Sequence, residues 1–241
     1  MIFPADQDPM GMAIRDFFHD GKAQRLRVLS TMFDEDEMPV PHLFRTEAAM
    51  NPLERTALSL CRGRVLDVGA GSGCHTLPLQ AKGLEVTAID VSPLSVETMR
   101  ERGVRDAQLA DFFTDDFGAG FDTILMLMNG IGICGAVTEL PEFFRRVDAL
   151  LAPGGCVITD SCDLSYVYED ENGLIDLTGV EGYYGEVDYQ MQYGTVKGPA
   201  FNWLYIDYET LAAEAQRQGF RAPHLRSDEG NTYLVRLERA E

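Results

Sequence analysis

The run Val65-Leu-Asp-Val-Gly-Ala-Gly-Ser-Gly73 sets three glycines after a short apolar stretch and before a segment of helical character. Each glycine has a physical use in such a turn. Gly69 permits a tight reversal, Gly71 lets a ligand reach the backbone, and Gly73 lets the next helix pack closely. The amides and positive dipole end of that helix favour an anionic group. Asp90 stands seventeen residues after Gly73, at the end of a second apolar stretch. A carboxylate there can accept from both hydroxyls of a ribose, each bond worth about 1.5–3 kcal/mol. Asp67 precedes the first glycine by two residues, and Asp111-Phe112 closes a third stretch.

Positioning these groups takes strands and helices in alternation. Strands are expected at 65–68, 85–89, 107–110, 123–128 and 156–159, with helices ending near Lys82, Gly103 and Leu151. That rhythm implies a parallel sheet covered on both faces. A helix over 207–218 and a last strand over 232–237 follow. The first 60 residues read as helices and connectors. Asp8-Pro9 opens one helix, with a cap and a proline at the first helical position. Asn51-Pro52, with Glu54 completing a capping box, opens another. Pro39-Val40-Pro41 between them reads as extended.

Residues 163–206 break the rhythm. From Asp163 to Lys197 there are eight acids and no base before Lys197, and six tyrosines: Tyr166, Tyr168, Tyr183, Tyr184, Tyr189 and Tyr193. Alternation over 186–193 and 201–206 predicts a hairpin or a sheet extension.

The composition narrows the function. The chain has 241 residues, 45% hydrophobic and 24% charged, with a net charge of -19. This is a folded chain whose field repels nucleic acid and anionic lipid. Acidity on this scale suits a cationic partner or a high-salt host. The stretch 123–137 is too short and too broken by glycine to span a bilayer, and Met1-Ile-Phe-Pro-Ala-Asp lacks the features of a signal peptide. The expected location is the cytoplasm. Five cysteines form no C-x-x-C pair, so no structural metal is expected.

A glycine turn with a downstream acid fits two cofactors, and a nicotinamide dinucleotide wants Gly or Ala where Cys74 stands. Asp67, Asp111-Phe112, the run Leu150-Leu-Ala-Pro-Gly-Gly155 and the ending Gln218-Gly219-Phe220 point to the other. Over about residues 60–160 and 207–240, this ordered set resembles the class I S-adenosylmethionine-dependent methyltransferases. Leu127-Met-Asn-Gly-Ile-Gly-Ile133 and Gly185-Glu-Val-Asp-Tyr-Gln-Met191 resemble a bacterial subgroup of them. The resemblance implies an α/β, Rossmann-like fold. Its sheet is seven-stranded and mostly parallel, in the order 3-2-1-4-5-7-6, with the last strand antiparallel and helices on both faces. It implies S-adenosyl-L-methionine as cofactor and S-adenosyl-L-homocysteine as product. Residue by residue, Asp67, Gly69, Ala70, Gly71 and Gly73 would line the methionine end. Asp90 would hold the ribose with Val91 beside the adenine, and Asp111 and Phe112 would flank the adenine. Met128, Asn129 and Gly130 would face the sulfonium. Arg45 is either a partner for the cofactor carboxylate or a surface base. His75 is either a cofactor contact or a partly exposed helix residue.

The domain expectation is an N-terminal helical extension, 1–60, forming a lid. A methyltransferase domain, 61–241, would follow, its insertion at about 163–206 covering the substrate site. The expected reaction is in-line methyl transfer to a small molecule, an amine being one such acceptor. Asp163, Tyr166, Tyr168, Tyr184, Glu186 and Asn202 are candidates to position or deprotonate it. The alternatives are methylation of a protein or RNA site, a cofactor-binding module, or a nicotinamide oxidoreductase on a related fold. No Asn-Pro-Pro-Tyr follows the fourth strand, which argues against an amino-methylating DNA enzyme.

Overall fold

The computed structural model describes residues 2–240; Met1 and Glu241, the outer ends of the expected domain ranges and the start of the leader reading, lie outside them. The chain begins with helix α1 (Pro9–Asp20), strands β1 (Leu26–Leu29) and β2 (Asp36–Met38), and helix α2 (Pro52–Leu60). The alternating part follows as β3 (Arg64–Val68), α3 (Thr76–Ala81), β4 (Glu85–Asp90), α4 (Pro93–Glu101), β5 (Asp106–Leu109), β6 (Phe121–Met126), α5 (Leu140–Leu150) and β7 (Leu151–Cys162). A hairpin of β8 (Glu186–Tyr193) and β9 (Val196–Leu204) precedes α6 (Tyr208–Arg217), and β10 (Phe220–Arg221), β11 (His224–Ser227) and β12 (Thr232–Arg239) end the chain.

The large sheet runs β10-β12-β7-β6-β3-β4-β5, with β11 also pairing β12. Its five central strands are parallel, and β12 lies antiparallel to β7. This is the expected order, with one addition. The sixth strand comes in two pieces, β10 and β11, which pair successive parts of β12. Pro223 stands between them and has no N–H to give to the ladder. Alternate residues of each strand serve opposite faces. Leu66, Ile124 and Val157 pack with Phe143 and Phe144, while Val65, Leu125 and Ile158 pack with Leu53 and Leu79.

The N-terminal region departs from the helical reading. It supplies two strands to a second sheet, ordered β2-β1-β8-β9. These strands have only four and three residues; β2 pairs β1 nearby, and β1 joins the sheet by pairing β8, more than 150 positions away, so the local pattern is weak. Pro39-Val40-Pro41 is not an extended run either: a 3-10 helix spans Val40–Phe44, with proline at its start.

The second sheet is fixed at both ends. Leu26 and Tyr193 are buried against Ala13 of α1, and the Tyr193 hydroxyl donates to Asp16 at 3.0 Å. At the other end, the Trp203 indole lies on the turn after β6, where a Cβ added to Gly132 would stand 2.1 Å from its Nε1. Asn129 Nδ2 donates to the Leu204 carbonyl at 3.1 Å, and Glu186 accepts the Val137 N–H at 2.9 Å. Trp203 is the single tryptophan, so its fluorescence reports on this seat. Gly132→Ala should shift that emission and cost about 1–3 kcal/mol by overpacking. Thermal melts should show a Tm lower by about 2–4 °C for each kcal/mol. An unchanged spectrum and Tm would contradict the contact.

Candidate active site

The glycine turn at the end of β3 is held by the end of β4. The Gly69 and Ala70 N–H groups donate to the Ile89 carbonyl at 2.9 and 3.1 Å. Asp90 Oδ2 accepts the Gly71 N–H at 2.8 Å and Oδ1 accepts the Ser92 N–H at 2.9 Å. Gly69 and Gly71 have φ of +68° and +56°, the left-handed region that glycine enters without strain. A Cβ at Gly69 would meet nothing within 4 Å, and at Gly71 only Ile14 Cδ1 at 3.9 Å. The loop therefore presents bare backbone toward open space, a cradle suited to a ligand approaching closely. Gly73 serves a different contact from the expected one. Its Cβ would come 2.9 Å from Val104 and 3.3 Å from Met99, so it admits α4 and the turn behind it rather than the neighbouring strand.

The N-terminal region wraps this turn. Phe3 N–H donates to the Val91 carbonyl at 3.0 Å, and the Ser72 hydroxyl donates to the Leu43 carbonyl. The Arg102 guanidinium donates to the Ser72 carbonyl and lies 4.7 Å from the centre of the Phe44 ring.

Arg45 is not a surface base. It is 8% exposed and donates to both oxygens of Glu54, the capping-box residue of α2. His75 is buried as well, with Nε2 2.8 Å from Glu54 and 3.1 Å from Arg45, which removes the partly exposed alternative. Burial alone would raise the Glu54 carboxyl, but His75 and Arg45 draw it down to about 2. Burial alone would lower the His75 imidazole, but bonds to Cys74 and Glu54 raise it to about 10. Two cationic groups thus share one carboxylate beside the glycine turn.

Two further carboxylates stand near this cluster. Asp67 accepts from the Thr76 hydroxyl at 2.5 Å, and burial pushes its carboxyl up. Asp160, near the end of β7, accepts the Asn129 N–H at 2.9 Å, and burial pushes it up to about 6. Asp90 rises to about 6 for the same reason, despite its two N–H partners. Sequence reasoning missed Asp160. Its place at the carboxyl end of a parallel strand, shared with Asp90, was the available signal.

Beyond β6, Met128 and Asn129 both have positive φ, +64° and +56°. Consecutive non-glycine residues there are strained, and surrounding bonds must hold them. Asn129 supplies three: its N–H to Asp160, its Nδ2 to Leu204, and its Oδ1 from the Ser161 hydroxyl at 2.8 Å. Gly130 opens the buried 3-10 turn that follows. On the other flank, Asp111 accepts the Phe113 N–H at 2.9 Å and half-buried Val91 borders β4. Phe112 is buried, its ring 6.0 Å from that of Phe143.

The six acceptor-side candidates separate into groups. Asp163, Tyr168 and Tyr184 meet: the Tyr184 hydroxyl donates to Asp163 at 2.7 Å, and the Tyr168 ring stands edge-on to it at 6.3 Å. Tyr183 and Asp207, the N-cap of α6, join them through a 2.6 Å hydroxyl bond. Tyr166 is exposed. Glu186 and Asn202 lie on the hairpin face opposite Tyr189 and Phe201, because Asp188 pairs Asn202 while Tyr189 pairs Phe201; Asn202 is exposed, whereas Glu186 is half-buried on the Val137 N–H. The inner face carries Tyr189, Met191, Phe201 and Trp203, all half-buried. The Tyr189 and Tyr205 hydroxyls lie 3.1 Å apart at its edge. Two surface clefts, one along Arg145 and Arg239 and one between Asn51 and Arg226, are lined by none of these groups.

The comparisons with known proteins agree with this geometry. A family model described as a methyltransferase domain matches residues 66–157. A solved S-adenosylmethionine-dependent methyltransferase from Bacteroides fragilis, in complex with S-adenosyl-L-homocysteine, is 54% identical. It aligns over 100% of this chain and 98% of its own, with a TM-score of 0.94. The CcbJ methyltransferase from Streptomyces caelestis shares the fold at 16% identity, a TM-score of 0.63, and coverage of 98% and 99% of the two chains. A ubiquinone biosynthesis O-methyltransferase from Caulobacter is 34% identical over 104 residues, 39% of each chain. Matches to the first curated relatives span 39% and 59% of their lengths. The chain belongs to the S-adenosylmethionine-dependent methyltransferases. It is an enzyme, and its cofactor is S-adenosylmethionine. No helix among the described residues is long and apolar enough to cross a membrane.

The shifted groups set a pH dependence. Asp90 and Asp160, at about 6, hold protons more tightly folded than unfolded. Their contribution to stability grows as pH falls through about 6 and is least above about 7. His75, at about 10, acts in the same sense: its contribution is full below about 6.5 and lost as pH rises. Glu54, at about 2, opposes them, its contribution full above about 4.5 and lost as pH falls. Thermal melts of the cofactor-free protein should give a Tm that rises from about pH 8 to about 5 and drops below about 4. Asp90→Asn should flatten the upper limb. A Tm that falls between about pH 7 and 5 would contradict these assignments.

Proposed function

We propose that this methyltransferase acts on a small molecule, an amine on an apolar or aromatic frame, bound between the end of β6 and the inner face of the second sheet. The observation that carries this reading is the seat of that sheet. Trp203 on Gly132 and Leu204 on Asn129 seat β9 on the strained turn after β6, and the half-buried Phe201 and Tyr189 follow Trp203 along the same face in successive ring contacts. Aromatic faces attract a cation, and the charge of -19 draws one in while opposing RNA. Two solved neighbours, an amino pentose methyltransferase and a sugar N-methyltransferase, share the fold at 21% and 17% identity.

The cofactor supplies, when bound, a methyl group already activated on a positively charged sulfur. The residues present fit it. Open backbone at Gly69, Ala70 and Gly71 gives room for the methionine end, with Gly73 behind. Arg45 and His75 are the cationic groups that suit its carboxylate, while Asp67 and Asp160 are buried carboxylates that an ammonium would relieve. Asp90 would accept the ribose hydroxyls, and Val91, Asp111 and Phe112 would border the adenine. Met128, Asn129 and Gly130 would face the sulfonium.

What remains for the chain is mainly alignment of two reactants, which alone contributes about 7–11 kcal/mol. A protonated amine must also lose a proton before it can attack. Asp163, directly after the carboxyl end of β7 and holding the Tyr184 hydroxyl, is the group assigned to receive it. Asp163→Asn should lower kcat about 10²-fold or more while leaving cofactor KM unchanged. Labelled S-adenosylmethionine with a panel of alkyl and aralkyl amines, phenols and carboxylates tests the acceptor class. Product from the amines alone is the expected result. Methylation of the phenols instead, or only of protein in cell extract, would overturn it.

A further inference from the structure

Helix α1 is tied to the ribose acid by a continuous chain of hydrogen bonds. Asp8, its N-cap, is buried and accepts the Gly11 N–H at 2.8 Å with one oxygen and the Ser92 hydroxyl with the other. Ser92 Oγ in turn accepts the Ser95 N–H at 2.9 Å, and the Ser92 N–H donates to Asp90 Oδ1 at 2.9 Å. The Asp90 carboxylate then holds Gly71. The approach is close: a Cβ at Gly11 would stand 2.2 Å from Asp8 Oδ2 and 2.4 Å from Ser92 Oγ. On its other side the same cap touches the second sheet. Pro9 lies against Gly198 of β9, where a Cβ would be 3.0 Å from the proline Cδ. The step Asp8-Pro9 is wedged between the cofactor turn and the sheet that covers the acceptor.

We propose that Asp8 is a positioning residue for methyl transfer, fixing Asp90 through Ser92 and, through Pro9, making the seating of the second sheet depend on the filled cofactor site. The proposal rests on the assignment of Asp90 to the ribose. Only a carboxylate meets the requirement, since it accepts an amide N–H and a hydroxyl at once. Asparagine can keep the Gly11 bond with its oxygen, but it turns an NH2 toward Ser92 Oγ, so the charge-assisted bond from the hydroxyl is replaced by a weaker neutral one of reversed direction. For turnover, the consequence is order: cofactor first, acceptor second.

The experiment measures S-adenosyl-L-homocysteine affinity by calorimetry on the full chain, for wild type, Asp8→Asn, Asp90→Asn and the double variant. Amide exchange in β8 and β9, with and without saturating S-adenosyl-L-homocysteine, is followed alongside. Asparagine is a good N-cap, so α1 should persist. Should Asp8→Asn fail to fold, Ser92→Ala breaks the same link from its other end and replaces it in the cycle. Asp8→Asn should weaken binding about tenfold in the wild-type background. In the Asp90→Asn background it should add less than about twofold, because both substitutions break one chain. The ligand should slow exchange in β8 and β9 of wild type, and that slowing should be lost in Asp8→Asn. Equal losses in both backgrounds, no loss in either, or ligand-insensitive exchange in wild type would overturn the proposal. Asp90→Asn binding as wild type would overturn the ribose assignment, and this proposal with it. A loss in Asp90→Asn but not in Asp8→Asn would overturn the positioning role alone.

Discussion

The Asp90 carboxylate is the constraint on which the site depends. It closes β4 onto the glycine turn by accepting Gly71 and Ser92 N–H groups with its two oxygens. That service is costly, because a carboxylate taken out of water is stable only while hydrogen-bonded. Its neighbours supply the bonds, and each neighbour is itself held by something further out. Ser92 is held by Asp8, Ser72 by Leu43, and His75 by Glu54 and Arg45. The N-terminal segment is thus hydrogen-bonded into the glycine turn and the end of β4.

The same logic accounts for the buried ionic cluster. An ion pair seldom stabilises a core beyond what apolar packing would, and breaking one by removing a partner leaves a charge stranded. Arg45 and His75 are better understood as cationic groups beside the glycine turn. On the proposed reading, Arg45 and His75 would answer the carboxylate of a zwitterionic ligand and the buried Asp67 and Asp160 its ammonium. At the far side of the crevice, strain at Met128 and Asn129 is held by Asp160, Ser161 and Leu204, one residue joining β6, β7 and β9.

Much of the large sheet was legible because its signals are local. The glycine turn, the acids that end β4 and β5, the caps Asp8, Asn51 and Asp207, and the alternation of β8 all act within a few residues. What escaped depends on contacts distant in sequence. Leu26–Leu29 becomes a strand only by pairing β8, and Arg45 becomes a buried ion only when α2 brings Glu54 to it. Left-handed backbone at Met128 has no mark in residue type, and asparagine at 129 only permits it. Among the acceptor-side residues, spacing gave no way to tell the inner face of the hairpin from the outer. The register does, by pairing Tyr189 with Phe201.

A crystal structure of this chain grown with S-adenosyl-L-homocysteine tests the central claim most directly. It should show the ribose hydroxyls on Asp90 and the homocysteine end between Gly69 and Arg45. The sulfur should face Asn129 beneath Trp203. Adenosine bound elsewhere, or a sulfur turned away from the inner face of the second sheet, would contradict the account.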